Sequence, residues 1–353
     1  MRLGHFAPLQ FELTGVADYA VALHRALSVE GNVQWNNPDA DAFLYHIGNN
    51  ELHAGIYERA LRQPGVIILH DAVLHHFLLT RLSETEYLEE FQYNYGSWSK
   101  DLAESLWKDR AYAGSNSRYF EYPLIRRVIE SSKAVIVHNH RAADLVRRHT
   151  SAALVEVIPH LFEAPHPLPE ETRMGTGVLF GVFGHLREPK RIATVLKAVR
   201  QIPGASLLVA GRFISKDYQQ ALESDLSHHQ VITLPFASEQ EFWSRARSID
   251  VCVNLRVPSV SETSGISVRM MGIGKPVIMS VPGEADDYPA GTCAGVESGV
   301  VEYEMLVAIM HWLATSSSDR RAMGRLAQQH IQKHHAPEVV ASRVWKVLRS
   351  VTG

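Results

Sequence analysis

An α/β fold of two doubly wound lobes, each a parallel sheet covered by helices on both faces, is what this sequence predicts. Three observations predict it. Short apolar runs without polar alternation, such as GVIIL at 65–69, recur between segments of helical period along the whole chain, the pattern of strands buried on both faces. The chain has 353 residues at 46% hydrophobic, more than one ordinary core takes up and suited to two. Between residues 163 and 177 the composition shifts to Pro165, Pro167, Pro169, Gly175 and Gly177, and strand–helix alternation then restarts.

Element by element, residues 1–6 read as a first strand ended by Pro8. The segment LTGVADYA enters a helix with Val16, Tyr19, Ala20, Leu23 and Leu27 on one face. Strands are expected at 42–47, 65–69, 134–137 and 154–158, with helices after the first three. Residues 84–127 form a helical insertion rich in aromatics, including Tyr95 and Trp98, which reads either as ordinary core or as an acceptor-binding wall. In the second half strands are expected at 178–182, 206–210, 231–234, 251–255, 276–279 and 292–296. The loop 184–191 leads into a helix at 192–200, and Pro337 opens a last helix. The domains expected are 1–168, 169–336, and a terminal helix at 337–353 that packs back toward the first.

Composition narrows the function classes. A net charge of −3 with 21% charged residues gives no global reason to expect nucleic acid or an acidic membrane as main partner. Two cysteines, Cys252 and Cys293, exclude a disulfide framework and suit a reducing cytoplasm. No secretory leader and no run of about 18 apolar residues is seen, so any membrane contact is expected to be peripheral, at the inner face. Nineteen histidines invite a metal, yet the adjacent pairs His75–His76, His228–His229 and His334–His335 are expected to diverge, and no HExxH spacing occurs. No metal and no cofactor are expected; the histidines read as surface or core.

The stretch that organises the chain is VCVNLRVPSVSETSGISVRMMGIGKPVIMS at 251–280. It reads as strand, loop, helix and strand, with Glu262, Thr263, Ser264 and Gly265 where the helix begins. Unpaired amides and a partial positive charge at a helix start suit an anion, whereas Glu262 suits hydroxyl groups that donate to it. A plain capping role for Ser261, Thr263 or Ser264 is the competing reading. Ligands gather at the carboxyl ends of parallel strands, which singles out His70 and Asp71 after the strand at 65–69. In the second half the same rule gathers the cations Lys190 or Arg191, Arg212 and Arg256, suited to a diphosphate. Gly15 between the first strand and its helix leaves room for a ligand beside backbone amides.

Four pieces, LTGVADYA, GNNELH through PGVIILHDAVLHH, FGHLREPKRIATVLKAV and VNLRVPSVSETSGISVRMMGIGKPVIMS, resemble the glycosyltransferases of family 4, over nearly the whole chain. The resemblance implies the GT-B fold, two Rossmann-like domains facing a central cleft. It also implies a nucleotide-diphosphate sugar held mainly by the C-terminal domain, transfer with retention to a glycan or lipid-linked hydroxyl, and no required metal. By position it makes His70 a contact of the donor sugar and Lys190 or Arg191 the diphosphate cation. Glu262 becomes the ligand of sugar hydroxyls, and Thr263, Ser264 and Gly265 the phosphate-facing loop. Gly15, His185, Arg256 and Arg269 join the donor side, Arg212, Pro235 and Phe236 the nucleobase side, and Asp71, Tyr95 and Trp98 the acceptor side. The chain departs from the family where Arg269 and Met270 replace the second glutamate and His185 replaces a common arginine. Two other readings stay open, a nucleotide-sugar or phosphosugar binding protein and a sugar-nucleotide epimerase of similar architecture.

Overall fold

The computed structural model describes residues 1–8, 15–114, 116–150, 153–171, 174–175, 177–259 and 261–352. It divides into two compact units. The first comprises 1–161, 260–263 and 335–353, and the second 162–259 and 264–334. Each carries one six-stranded parallel sheet with flanking helices, so the expected fold class is observed.

In the first unit the strands are β1 (Arg2–Phe6), β2 (Asn32–Trp35), β3 (Ala42–Ile47), β4 (Val66–Leu69), β5 (Ala134–Val137) and β6 (Leu154–Val157), ordered β2-β1-β3-β4-β5-β6. β2 has no counterpart among the expected strands. It lies at the sheet edge and three of its four residues are exposed, so it lacks the apolar run that marks its neighbours. β4 and β5 are buried at every residue. Leu3, Leu44, Ile68 and Ile136 share one core with Tyr19, Leu23 and Leu27 of the helix Gly15–Glu30 and with Val340, Val344 and Trp345 of the helix Pro337–Thr352. Trp345 Nε1 donates to the Leu27 carbonyl at 3.2 Å. A Cβ added at Gly31 would lie 2.5 Å from the Trp345 ring, so a glycine lets the two elements close.

The insertion at 84–127 is a series of short helices rather than one long one, with Tyr87, Phe91 and Tyr119 fully buried. It joins the core on the opposite face of the sheet, alongside Tyr45, Ile67 and Val135.

The second unit holds β7 (Leu179–Leu186), β8 (Ser206–Phe213), β9 (Val231–Leu234), β10 (Val251–Asn254), β11 (Val277–Val281) and β12 (Ala294–Glu297), ordered β12-β11-β10-β7-β8-β9. β7 and β8 each run past the glycine that seemed to end them, to Leu186 and Phe213, and stay paired throughout. His185 and Arg212 are therefore strand partners and not loop residues. The physical reason is close approach: a Cβ at Gly211 would sit 1.9 Å from the Gly184 carbonyl oxygen, and Gly184 itself has φ +91°. Gly211→Ala should lower stability by about 2 kcal/mol or more, because backbone and not a flexible side chain must yield. An unchanged urea midpoint in that variant would show that the strands part without penalty.

Among the described residues no helix is long and apolar enough to cross a membrane.

Candidate functional site

In the second unit the strand ends build one polar network around the helix Gly265–Gly272. Lys190, only 5% exposed, donates from Nζ to Asn254 Oδ1 at 3.2 Å. Asn254, the last residue of β10, donates from Nδ2 to Ser267 Oγ at 2.7 Å. Ser267 Oγ donates to Glu284 Oε2 at 3.1 Å, and the Ser264 amide donates to Glu284 Oε1 at 3.0 Å. Arg256 returns to the same place: its backbone amide donates to Ser280 Oγ and its guanidinium to Ser264 Oγ at 3.1 Å. The Glu284 carboxylate thus occupies the start of the helix, where amide donors and the helix dipole favour negative charge. The competing reading of Ser264 as a plain cap is not observed, since its hydroxyl makes no cap bond to the helix.

Glu284 and Asn254 were not singled out in the sequence. The signal was present, because Asn254 ends β10 and Glu284 follows β11, and strand ends are where such groups collect. What hid Glu284 is its place in a sequence-distant turn, PGEADD.

The two candidate cations differ sharply. Lys190 joins the network, whereas Arg191, at φ +55°, turns away and pairs through Nε with Glu302 Oε1 at 2.7 Å. Glu302 is 3% exposed, so this ion pair anchors the helix Glu302–Thr315. Arg269 lies over the rings of Phe242 and Trp243, and Met270 is fully buried, so neither presents a carboxylate or its equivalent. His185 stacks on Phe236 at 5.8 Å, with Arg212 opposite it on β8. Burial lowers the His185 pKa, with the positive charges of Arg187, Arg212 and Lys190 adding to the effect. Pro235 accepts Arg245 at its carbonyl. His185, Arg212 and Phe236 therefore come together, a flat ring platform beside a cation.

Residues 261–263 cluster with the first unit. There Asn139 Nδ2 donates to the Ser261 carbonyl and to Thr263 Oγ1, both at 3.0 Å, and Glu262 is half-buried. Gly15 opens the first helix, and a Cβ there would meet nothing within 4 Å. Leu13 and Thr14 of the LTGVADYA motif lie outside the described residues.

His70 sits one residue past β4 and is 8% exposed, in a layer of imidazoles. Side chains two apart on a strand share a face, and His5, His46, His70 and His138 each stand two residues beyond Leu3, Leu44, Ile68 and Ile136. One face of the sheet is thus aliphatic along its length and histidine at its carboxyl edge. Pairwise inspection of neighbouring histidines misses the layer, because its members are spread over four strands. His138 Nδ1 bonds the Ile158 carbonyl at 2.9 Å, and His53 Nδ1 bonds the His46 carbonyl at 2.9 Å. A carbonyl only accepts, so both rings carry the proton on Nδ1 and present a bare Nε2. Both Nε2 atoms and the Tyr19 hydroxyl are buried without a hydrogen-bond partner among the described residues. The Tyr19 ring lies 5.1 Å from those of His70 and His138. Burial lowers the His138 and His53 pKa values to about 4 and raises that of Tyr19. These groups are neutral at pH 7 and offer bare acceptors and one hydroxyl.

Asp71 does not cap the following helix; its Oδ2 accepts the Asn49 amide at 2.7 Å, and Asn49 Oδ1 takes the Phe77 amide instead. Tyr95 packs among Phe91, Tyr122 and His149, whereas Trp98 is 74% exposed. His75 and His76 point to different carbonyls, those of Tyr122 and Ala113. His228 and His229 do not diverge: they lie in a turn, where adjacent rings are not splayed as on a helix, and their centroids are 4.3 Å apart. Among the described residues no three His, Cys, Asp or Glu side chains converge as a metal site would require.

No family model matches the chain, and no curated protein matches it in sequence. Solved structures share its fold. Sucrose-phosphate synthase from Thermosynechococcus elongatus superposes with a TM-score of 0.71 at 14% identity, over 99% of this chain and 99% of that one. HepE of Anabaena, solved in complex with UDP-glucose, gives 0.68 at 14% identity over 99% and 100%. WaaG, a glycosyltransferase involved in lipopolysaccharide biosynthesis, gives 0.62 at 13% identity over 97% and 99%. The chain therefore has the GT-B fold of these proteins, each of which it matches along nearly its full length.

Proposed function

We propose that the chain is a metal-independent, retaining glycosyltransferase of the family-4 type, which uses a nucleotide-diphosphate sugar and acts on a glycan or lipid-linked hydroxyl. The observation that carries this reading is the network at the strand ends of the second unit. It gathers a buried ammonium on Lys190, the guanidinium of Arg256 and the amide end of the helix Gly265–Gly272. These are the groups that stabilise the charge developing on a departing diphosphate, and they are held in place before reaction. The platform of His185 and Phe236 beside Arg212 suits a nucleobase. Glu262 and His70 are assigned to sugar hydroxyls, and Asp71 to the acceptor side. The solved complexes of HepE with UDP and with UDP-glucose lend the donor class support.

One observation favours a second reading, a binding protein for nucleotide sugars without transfer. At the position of the family's second glutamate the side chains of Arg269 and Met270 are stacked and buried, so that carboxylate is not replaced in place.

Thermal melting with UDP, GDP, ADP and dTDP, followed by assay of free nucleoside diphosphate released from the matching sugar nucleotides, separates the readings. A transferase is stabilised by one nucleotide and releases it slowly from its sugar; a binding protein is stabilised and releases nothing. Protein unmoved by all four would overturn both. In the same melt Glu284→Gln should bind the nucleotide about threefold to tenfold more tightly, since a carboxylate no longer competes for the Ser264 amide.

A further inference from the structure

Four imidazoles in the first unit form a continuous hydrogen-bonded file. His24 Nδ1 meets His5 Nδ1 at 3.1 Å, His5 Nε2 meets His46 Nε2 at 2.7 Å, and His46 Nδ1 meets His70 Nε2 at 2.9 Å. Every contact joins nitrogen to nitrogen, and a neutral imidazole has one N–H and one bare nitrogen. The consequence is strict. If His24 donates, then His5 must donate to His46 and His46 to His70, leaving His70 with its proton on Nδ1. If His70 donates from Nε2, every bond reverses and His70 Nδ1 is bare. No third arrangement keeps all three bonds.

The two ends differ in setting. His5 and His46 are fully buried, and Trp35 stacks on the ring faces of both His24, at 4.1 Å, and His5, at 4.6 Å. His24 is half-buried on the helix Gly15–Glu30, and His70 lies at the strand end. Among the described residues neither His24 Nε2 nor His70 Nδ1 has a hydrogen-bond partner, so each is open to water or a ligand. Burial lowers the His5 pKa to about 3 and holds His46 and His70 well below the usual histidine range, so the file is neutral at pH 7.

We infer that His24 is a positioning residue for His70: through His5 and His46 it sets which nitrogen of His70 carries the proton, and so whether His70 Nδ1 donates to or accepts from a ligand hydroxyl. Reversal moves one proton across each of the three bonds in the same sense. It is completed when one proton enters from water at one end nitrogen and one leaves at the other, so no charge is left in the file. The functional consequence rests on His70 facing ligand, as proposed above; the coupling itself does not.

Long-range proton–nitrogen spectra of the full chain with 15N-labelled histidine test it, since they report which ring nitrogen is protonated. In the unaltered protein His5, His46 and His70 must show one protonated and one bare nitrogen each, all in one sense; a pair that both offer bare or both offer protonated nitrogens across a contact overturns the file. His24→Asp offers only acceptors to His5 and should leave His70 protonated on Nε2. His24→Lys offers only donors and should leave it protonated on Nδ1. The same His70 tautomer in both variants would overturn the coupling while leaving the transferase reading intact. Conversely, failure of nucleotides to bind removes that reading without touching these spectra.

Discussion

Mild acid is expected to unfold the first unit well before the second. Six histidines of the first unit are buried with their pKa values lowered by burial: His5 and His75 to about 3, His53 and His138 to about 4, and His46 and His70 well below 6.5. In the unfolded chain each titrates near pH 6.5. Between pH 6.5 and about 4 the unfolded state therefore binds protons that the folded state refuses, so stability rises with pH across that window and is lost as pH falls. Each group contributes about 1.4 kcal/mol per pH unit, and six together approach roughly 8 kcal/mol per unit. That is comparable with the whole stability of an ordinary domain, about 5–15 kcal/mol. Carboxylates whose pKa values are depressed, such as Asp41, Glu130 and Glu241, act lower on the pH scale and do not blur the effect. Urea unfolding at pH 7.5 and 5.5, followed by hydrogen exchange in peptides from each unit, checks it. Equal midpoints at the two pH values would mean that the histidines are hydrated or charged in the folded protein.

The second large effect divides two adjacent cations. Lys190→Met keeps the aliphatic stem and removes a buried charge from the network with Asn254. If Lys190 stabilises a departing diphosphate, kcat/KM should fall about a hundredfold or more with the melting temperature nearly unchanged. Arg191→Met removes the partner of Glu302, which is almost wholly buried, and should instead lower stability by about 1–3 kcal/mol. Arg191 is itself partly exposed, which keeps the loss below that of a fully buried pair. Turnover lost equally in both variants, or stability lost equally, would show that the pair does not divide its duties in this way.

Much of the architecture was legible because a parallel sheet buried on both faces writes itself as unbroken apolar runs, and β4 and β5 are such runs. The failures have equally local causes. β2 is an exposed edge strand and carries no such signature. β7 and β8 pass through glycines that usually stop a strand, but here allow two backbones to touch. At the site, charge at strand ends and small residues at a helix start brought Lys190, Arg256 and Ser264 into consideration, because both are visible in one dimension, whereas His185 and Phe236 entered separately through the family resemblance and only the fold stacks them. Which of Lys190 and Arg191 turns inward was not legible, since it depends on a left-handed backbone angle and on Glu302, more than a hundred residues away. The histidine layer was hidden for a related reason: its order lies across the strands, and a linear reading runs along them.

The core shared by β1, the helix Gly15–Glu30 and the terminal helix Pro337–Thr352 has a consequence for biosynthesis. A nascent chain that has left the ribosome as far as residue 334 holds every described strand of both sheets, yet the face of the helix Gly15–Glu30 with Leu23 and Leu27 still lacks the cover that Val340, Val344 and Trp345 will later give. The lobe made first is thus the one completed last, and until the helix Pro337–Thr352 has emerged its greasy flank stands open to chaperones or to premature association.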